Sequence, residues 1–340
     1  MSLSSMAPPE AIAQARAVVD GPLRAAVARL DPRMQCIASY QMGWIEADGT
    51  PRAQGGGKAV RPTLAVLSAR AAGAAPEVGV PGAVAVELVH NFSLLHDDVM
   101  DRDVERRHRP TGWAVFGDGP AILAGNAMLI AAIEAVHEGG GHAPTAVTTL
   151  LDATQRLITG QGDDLAYEKR TDLTLETVLD MEAGKTAALL ACSASIGAVL
   201  AGAPDAVVAA LADYGEQLGM AFQLVDDVLG IDGDPAVTGK SASSDLRAGK
   251  RSIPVVAALA AGTPAAAELA RLFAGGPPDS DDDVARAATL VQEAGGLAWA
   301  EAEARRRLER SLAALGTVDL DRDARHDLER MARFVVGRDH

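Results

Sequence analysis

Residues 81–101, PGAVAVELVHNFSLLHDDVMD, decide how the rest of the chain is read. A helix of about 3.6 residues per turn puts Asp97 and Asp101 on one face, four positions apart, with Asp98 beside them. The run before them is too apolar for a solvated face, so the acids stand at the inner end of a buried helix, where carboxylates need partners. Closely spaced carboxylate oxygens suit a hard cation. Mg2+ in particular is usually held by one or two carboxylates together with substrate phosphates. Taken alone, a DDxxD pattern reads as an acid patch at a helix end.

A second apolar segment, 204–231, carries Asp226 and Asp227, with Gln223 before them on the same helical face. Basic residues flank both acid clusters. Lys58 and Arg61 lie in GGGKAVRP, Arg106 and Arg107 in RRHRPT, Lys185 with Thr186 in EAGKTAALL, and Lys240 and Lys250 in GKSASSDLRAGKRSIP. Singly, each reads as a solvated side chain. In a chain with 31 Lys and Arg against 46 acids, their recurrence around the two clusters reads as a set of phosphate grips. The Gly-rich turn before Lys58 would also bring backbone N–H groups to phosphate oxygens. His90 lies two helical turns before Asp97 and projects near the acid face, although a lone His on such a helix reads first as a hydrogen-bonded core residue.

The ordered series GKxxRP, H-x6-DDxxD, RRxxPT, GQxxDL (here GQGDDL, with Gln161 and Asp164), GKTA, FQxxDD and GK…DLxxGK resembles the trans-type polyprenyl diphosphate synthases, over nearly the whole chain. The resemblance is most like a geranylgeranyl diphosphate synthase. It implies an all-α, single-domain bundle of the isoprenoid-synthase type around a deep central cavity, covering 10–340 and preceded by a disordered N-terminus at 1–9. It implies three Mg2+ ions held by Asp97, Asp101 and Asp226 on an allylic diphosphate, with Asp98 in the same cluster. Arg106, Lys185 and Lys240 match residues that grip that diphosphate, and Lys58, Arg61, His90 and Arg107 match the isopentenyl diphosphate pocket. Gln223 and Thr186 match positions near the metals and the reacting carbon. Lys250, flanking the second cluster, is read as a further substrate grip. Such enzymes pair along helices near the site, so a homodimer is expected.

Phe92 lies five residues before Asp97, about 7.5 Å along the axis. Beside it Ser93 is small, and Val89 lies a turn deeper. This matches the floor that limits product length in geranylgeranyl diphosphate synthases, with farnesyl diphosphate as the nearest competing product; the bland reading is that Phe92 is ordinary core. Three positions depart from the family pattern. Gly230 stands where the second cluster would carry its third acid, leaving Asp226 with weaker support. Ala59 replaces a frequent second basic residue, and His108 replaces a frequent Gly, read as tolerated variation.

Helical apolar spacing recurs in 10–31, 61–73, 81–103, 118–137, 144–161, 173–201, 204–231, 252–273, 282–294, 297–315 and near 320–337, with no alternating strand series. Asp281 to Asp283 read as an exposed loop and helix N-terminus, not a metal site. A net charge of −15 argues against a nucleic-acid surface. Cys36 and Cys192 offer neither a disulfide framework nor zinc spacing, which suits a reducing cytoplasm. No apolar run is expected to span a membrane, and MSLSSMAPPE lacks the features of a signal peptide. Pocket closure over the substrate is expected from the 232–250 loop and the C-terminal tail. A class I terpene cyclase, which binds one diphosphate, would not need Lys58, Arg61 and Arg107, and only five Phe, three Trp and three Tyr are present to line a cyclase pocket. A non-catalytic subunit of a heteromeric prenyltransferase is the remaining alternative, motivated by Gly230 and Ala59.

Overall fold

The structure, a computed structural model, describes residues 9–52, 57–167, 170, 172–233 and 244–337. Lys240, most of the expected N-terminal tail, the centre of the 232–250 loop and the last three residues lie outside the described residues.

Sixteen α-helices are described, numbered in chain order: α1 Glu10–Ala28, α2 Pro32–Gln41, α3 Val60–Ala71, α4 Val80–Asp101, α5 Gly112–Phe116, α6 Asp118–His137, α7 Ala143–Tyr167, α8 Leu175–Glu182, α9 Ala188–Leu200, α10 Asp205–Asp232, α11 Ser244–Arg247, α12 Ile253–Leu259, α13 Pro264–Phe273, α14 Asp281–Glu293, α15 Gly296–Ala314 and α16 Arg322–Val336. The all-α expectation holds, with one small exception. β1 (Glu105–Arg106) and β2 (Arg109–Pro110) form an antiparallel hairpin directly after the first acid cluster.

Several expected helices are broken, each for a local reason. The expected helix 10–31 stops at Ala28, and α2, absent from the sequence reading, begins behind it with Asp31 as its cap, accepting from Arg33 N, and Pro32 at the first helical position. The expected helix 252–273 divides between Leu259 and Pro264, where Gly262 takes φ +67° and Thr263 caps α13. Residues 173–201 are interrupted by a π turn at Ala183–Ala187. Asp281 to Asp283 form the first turn of α14, capped by Ser280, as expected of acids at a helix N-terminus.

The core has three main apolar regions. One joins α1, α3, α4, α6, α7 and α9, a second surrounds α8, the end of α10 and α12 to α15, and a third joins α3, α9, α10 and α16. Every residue of α9 is buried, which makes it the central post of the bundle. Small residues let backbones meet there: a Cβ on Gly197 would stand 2.8 Å from Ala69 N on α3, and one on Gly215 would stand 2.8 Å from Ala191 Cα.

Contrary to the sequence expectation, three stretches, 76–101, 118–137 and 175–200, are long and apolar enough to cross a membrane by length and composition alone. Within the bundle, 61%, 44% and 78% of their apolar windows are buried by other helices, so core packing accounts for most of the first and last but leaves much of α6 uncovered.

Candidate active site

The two acid clusters are joined through the π turn. α4 ends at Asp101, where Arg102 adopts φ +59° and turns the chain into the hairpin. Arg107 and His108, the two loop residues of that hairpin, have φ +54° and +59°, the signature of a type I′ turn usually supplied by Gly or Asn. The turn folds Arg106 back over the acids. Its Nε donates to Asp98 Oδ1 at 2.6 Å, and its Nη2 lies 3.7 Å from Asp97 Oδ2. Asp98 is 1% exposed; burial pushes its carboxyl up to about 6 against the pull of Arg106. Asp101 also sits at about 6, raised by partial burial and then by Asp97.

Lys185 reaches the first cluster from the π turn. Its Nζ pairs with Asp164 on α7 and lies 3.8 Å from Asp97 Oδ1. Burial alone would lower the Lys185 ammonium, but Asp97 and Asp164 outweigh it and hold it above the ordinary lysine value. Glycines allow this approach. A Cβ on Gly160 would stand 2.8 Å from Gly184 C and from Met181 O, so α7 and the π turn meet backbone to backbone. A π turn inside a helix widens the backbone and is often found at functional sites; here it swings Lys185 towards α4 and α7.

The next residue, Thr186, turns to the second cluster. Its Oγ1 donates to Gln223 Oε1 at 2.9 Å, and Gln223 Nε2 donates to Asp227 Oδ1 at 2.7 Å. Asp227 Oδ2 accepts from Ile253 N at 2.9 Å. Both oxygens of Asp227 are thus engaged inside the protein, whereas its neighbour Asp226 is less buried. Lys250 sits among Asp227, Glu182 and Asp245, whose charges outweigh burial and raise its ammonium. Burial, and then the charge of Asp227, raises the Glu182 carboxyl above its ordinary range, and burial raises that of Asp227.

A separate basic group lies along the same α4 helix. Burial, followed by Arg61, Arg107 and Arg106, holds the His90 imidazole well below its ordinary pKa. Glu87, one turn earlier, is raised by burial against the pull of Arg61 and Arg107, and accepts from Asn91 Nδ2 at 3.2 Å. A Cβ on Gly57 would stand 3.5 Å from Arg107 Nη1, and Arg16 of α1 donates to Gly57 O, so Gly57 faces this group. Lys58 is exposed at its edge. Ala59 adopts φ +51° ahead of α3 and packs against the apolar core, so a longer basic side chain at this position would start from an inward-facing Cβ.

Sequence reasoning thus missed Glu87, Glu182 and Asp245. Glu87 and Glu182 lie within apolar helical runs; the signal was a buried acid without a sequence partner. Asp245 comes from an element whose position only the fold decides. Phe92 is 6% exposed, and its ring meets the His96 ring edge-on at 5.0 Å; Val89 is fully buried, and Ser93 Oγ donates to the His90 carbonyl.

Asp97 Oδ1 and Asp98 Oδ2 are buried without a hydrogen-bond partner, and the surrounding donors are carboxylate oxygens, which fits a hard cation. Among the described residues, no three acids or imidazoles are gathered closely enough to hold an ion by themselves. Two surface hollows, near Ala71–Gly73 with Val318–Asp321 and near Pro22 with Glu138, lie away from these acids.

Comparison with known proteins gives one answer. Residues 44–291 match the model of the polyprenyl synthetase family. A (2E,6E)-farnesyl diphosphate synthase from Mycobacterium tuberculosis is 47% identical over 320 residues, covering 93% of this chain and 89% of the relative. A geranylgeranyl diphosphate synthase from the same species is 42% identical, covering 89% and 87%. A crystal structure of a polyprenyl synthetase from Streptomyces coelicolor superposes with a TM-score of 0.92 at 50% identity, covering 96% of this chain and 99% of that one.

Proposed function

The chain belongs to the polyprenyl synthetase family and is a prenyltransferase, and from that premise we propose that it makes geranylgeranyl diphosphate by Mg2+-dependent head-to-tail condensation of isopentenyl diphosphate with an allylic diphosphate. The observation that carries the reading is the continuous link from Asp97 through Lys185 and Thr186 to Gln223 and Asp227, which supports one diphosphate site between two acid clusters.

In this reading Asp97, Asp101 and Asp226 hold three Mg2+ ions, which when bound would neutralise charge on the departing diphosphate. Arg106 and Lys185 leave their carboxylate partners to grip the allylic diphosphate, joined by Lys240. Lys58, Arg61, His90 and Arg107 bind isopentenyl diphosphate; a neutral His90 among arginines can donate to an anion without adding charge. Lys250 acts on substrate indirectly, by neutralising Asp227 and Glu182. Thr186 and Gln223 orient around the reacting carbon. Ionisation of the allylic C–O bond, attack by the isopentenyl double bond and loss of a proton to the diphosphate yield a chain one isoprene unit longer. Water must be excluded during this sequence.

Phe92, stacked edge-on against His96 above the buried Val89, supports a short product. The 47% relative favours farnesyl diphosphate as a second reading. We also infer a homodimer, because Leu123 and Ile130 on α6 and Leu151 and Ile158 on α7 are exposed at seven-residue spacing. Unpaired Cys36 and Cys192 support a cytoplasmic enzyme. The deciding experiment supplies Mg2+, isopentenyl diphosphate and, separately, dimethylallyl, geranyl and farnesyl diphosphates, and measures product length by mass spectrometry. A C20 diphosphate supports the main reading, a C15 end product the second, and no elongation from any primer sinks both.

A further inference from the structure

The hairpin after the first acid cluster turns through two residues that resist its geometry. Its loop, Arg107 and His108, stands at φ +54° and +59°, a conformation that strains any residue with a Cβ and that Gly takes freely. Strands of two residues are too short to hold such a turn by themselves, and strained backbone persists only where its surroundings fix it. The fixing contact comes from Arg109, which pairs with Arg106 across the hairpin. Its Nη1 donates to the Tyr40 carbonyl at 3.3 Å and its Nη2 to the Ile45 carbonyl at 3.0 Å, with Glu46 Oε2 at 3.4 Å from the same Nη2. The guanidinium carbon lies 4.2 Å from the centre of the Tyr40 ring. Tyr40 is 3% exposed, and its hydroxyl donates in return to Pro110 O at 2.6 Å. Below the turn, Thr111 Oγ1 and Trp113 Nε1 both donate to Asp103 O and close the base of the hairpin. Arg109 and Tyr40 therefore fasten β2 to α2, while β1 carries Arg106 over the acids and the loop carries Arg107.

We propose that Arg109, seated on Tyr40, is the positioning residue that holds Arg106 and Arg107 in place for both diphosphates, and that it offsets the strain of His108 in the turn. The inference rests on the reading of Arg106 and Arg107 as grips on the allylic and isopentenyl diphosphates. Both arginines ride on one hairpin, so a hairpin in place only about a tenth of the time weakens each diphosphate about tenfold. Whichever diphosphate binds first restores the hairpin for the other. A residue that touches only one diphosphate would weaken that ligand alone, whether or not the other was bound.

The test is calorimetric titration of the full chain, in Mg2+, with isopentenyl diphosphate or an unreactive thiolo analogue of geranyl diphosphate, each alone and then with the other saturating. Arg109→Met should weaken each ligand about tenfold alone and less than about twofold with the other saturating, with kcat at saturation near that of the parent. Arg109→Lys keeps the charge but not the planar fork, and should lose as much as the Met variant. His108→Gly added to Arg109→Met should recover most of the loss, because Gly suits the turn. Weakening of one ligand only, a loss that persists with the other ligand saturating, full recovery by Lys, or no gain from His108→Gly overturns the proposal. If Arg109→Met does not fold, Tyr40→Phe, which removes only the hydroxyl bond to Pro110, should show the same pattern in milder form, and parent-like binding by it overturns the proposal. A parent that binds neither diphosphate overturns the reading of the two grips, and the inference falls with it.

Discussion

Arg106 donates its Nε to the buried Oδ1 of Asp98 at 2.6 Å, while its other arm stays 3.7 Å from Asp97. The guanidinium therefore neutralises the cluster from one side. Arg106→Ala would leave a carboxylate that is 1% exposed without its partner. Breaking such a pair costs about 3 kcal/mol when the remaining group must stay charged, and less when it can take up a proton. Asp98 and Asp101 at about 6, and Asp227 and Glu182 raised by burial, all bind protons more tightly in the fold than in the unfolded chain. Their contribution to stability is full below the unfolded carboxyl range and, for Asp98 and Asp101, is lost as pH rises through about 6. His90, held low, works in the opposite sense near its ordinary value. The metal-free protein should melt at a lower temperature at pH 8 than at pH 5.5, and Arg106→Ala should steepen that fall. Calorimetry across this range checks it; a melting temperature that rises steadily with pH contradicts it.

Gly160→Ala tests the backbone contact that aims Lys185. The new Cβ would meet Gly184 and Met181 main-chain atoms at 2.8 Å, and backbone cannot step aside as a side-chain tip can. A loss of about 2 kcal/mol is expected from overpacking of this kind. Turnover should fall more than stability accounts for, since Lys185 would be displaced from Asp97. Urea unfolding and steady-state kinetics on one preparation separate the two effects.

Phe92→Ala should lengthen the product by at least one isoprene unit. Removing a nearly buried ring that packs on His96 also leaves a cavity, at a cost of about 3 kcal/mol. A variant with unchanged product length but reduced stability would assign Phe92 to the core alone.

Ile130→Asp, combined with Leu151→Asp, should convert a dimer into monomers without lowering helix content. Both residues are about half exposed in the single chain, at 56% and 45%, and neither belongs to a core cluster, so the substitutions disturb little internal packing. Light scattering after size-exclusion chromatography gives the mass directly. A parent protein that already runs as a monomer would remove the dimer inference.

Local patterning carried much of this protein. The 3.6-residue periodicity of the apolar runs is a property of neighbouring residues, so helix class and most helix positions were legible, as was the pairing of Asp97 with Asp101 on one face of α4. The ordered motifs likewise made the family legible, because their spacing survives without knowledge of the fold. The π turn at Ala183–Ala187 was hidden, since backbone widening there depends on the close approach of Gly160 to Gly184 rather than on the composition of the turn. Lys250 read as a substrate grip in sequence, and only the fold shows that the charges of Asp227, Glu182 and Asp245 act on its buried ammonium. Gly230 looked like a lost acid. Only the packing of α11 against α10 brings the Asp245 carboxylate beside it, because a carboxylate's position relative to residues fifteen positions away is decided by how helices meet, not by the phase of either one.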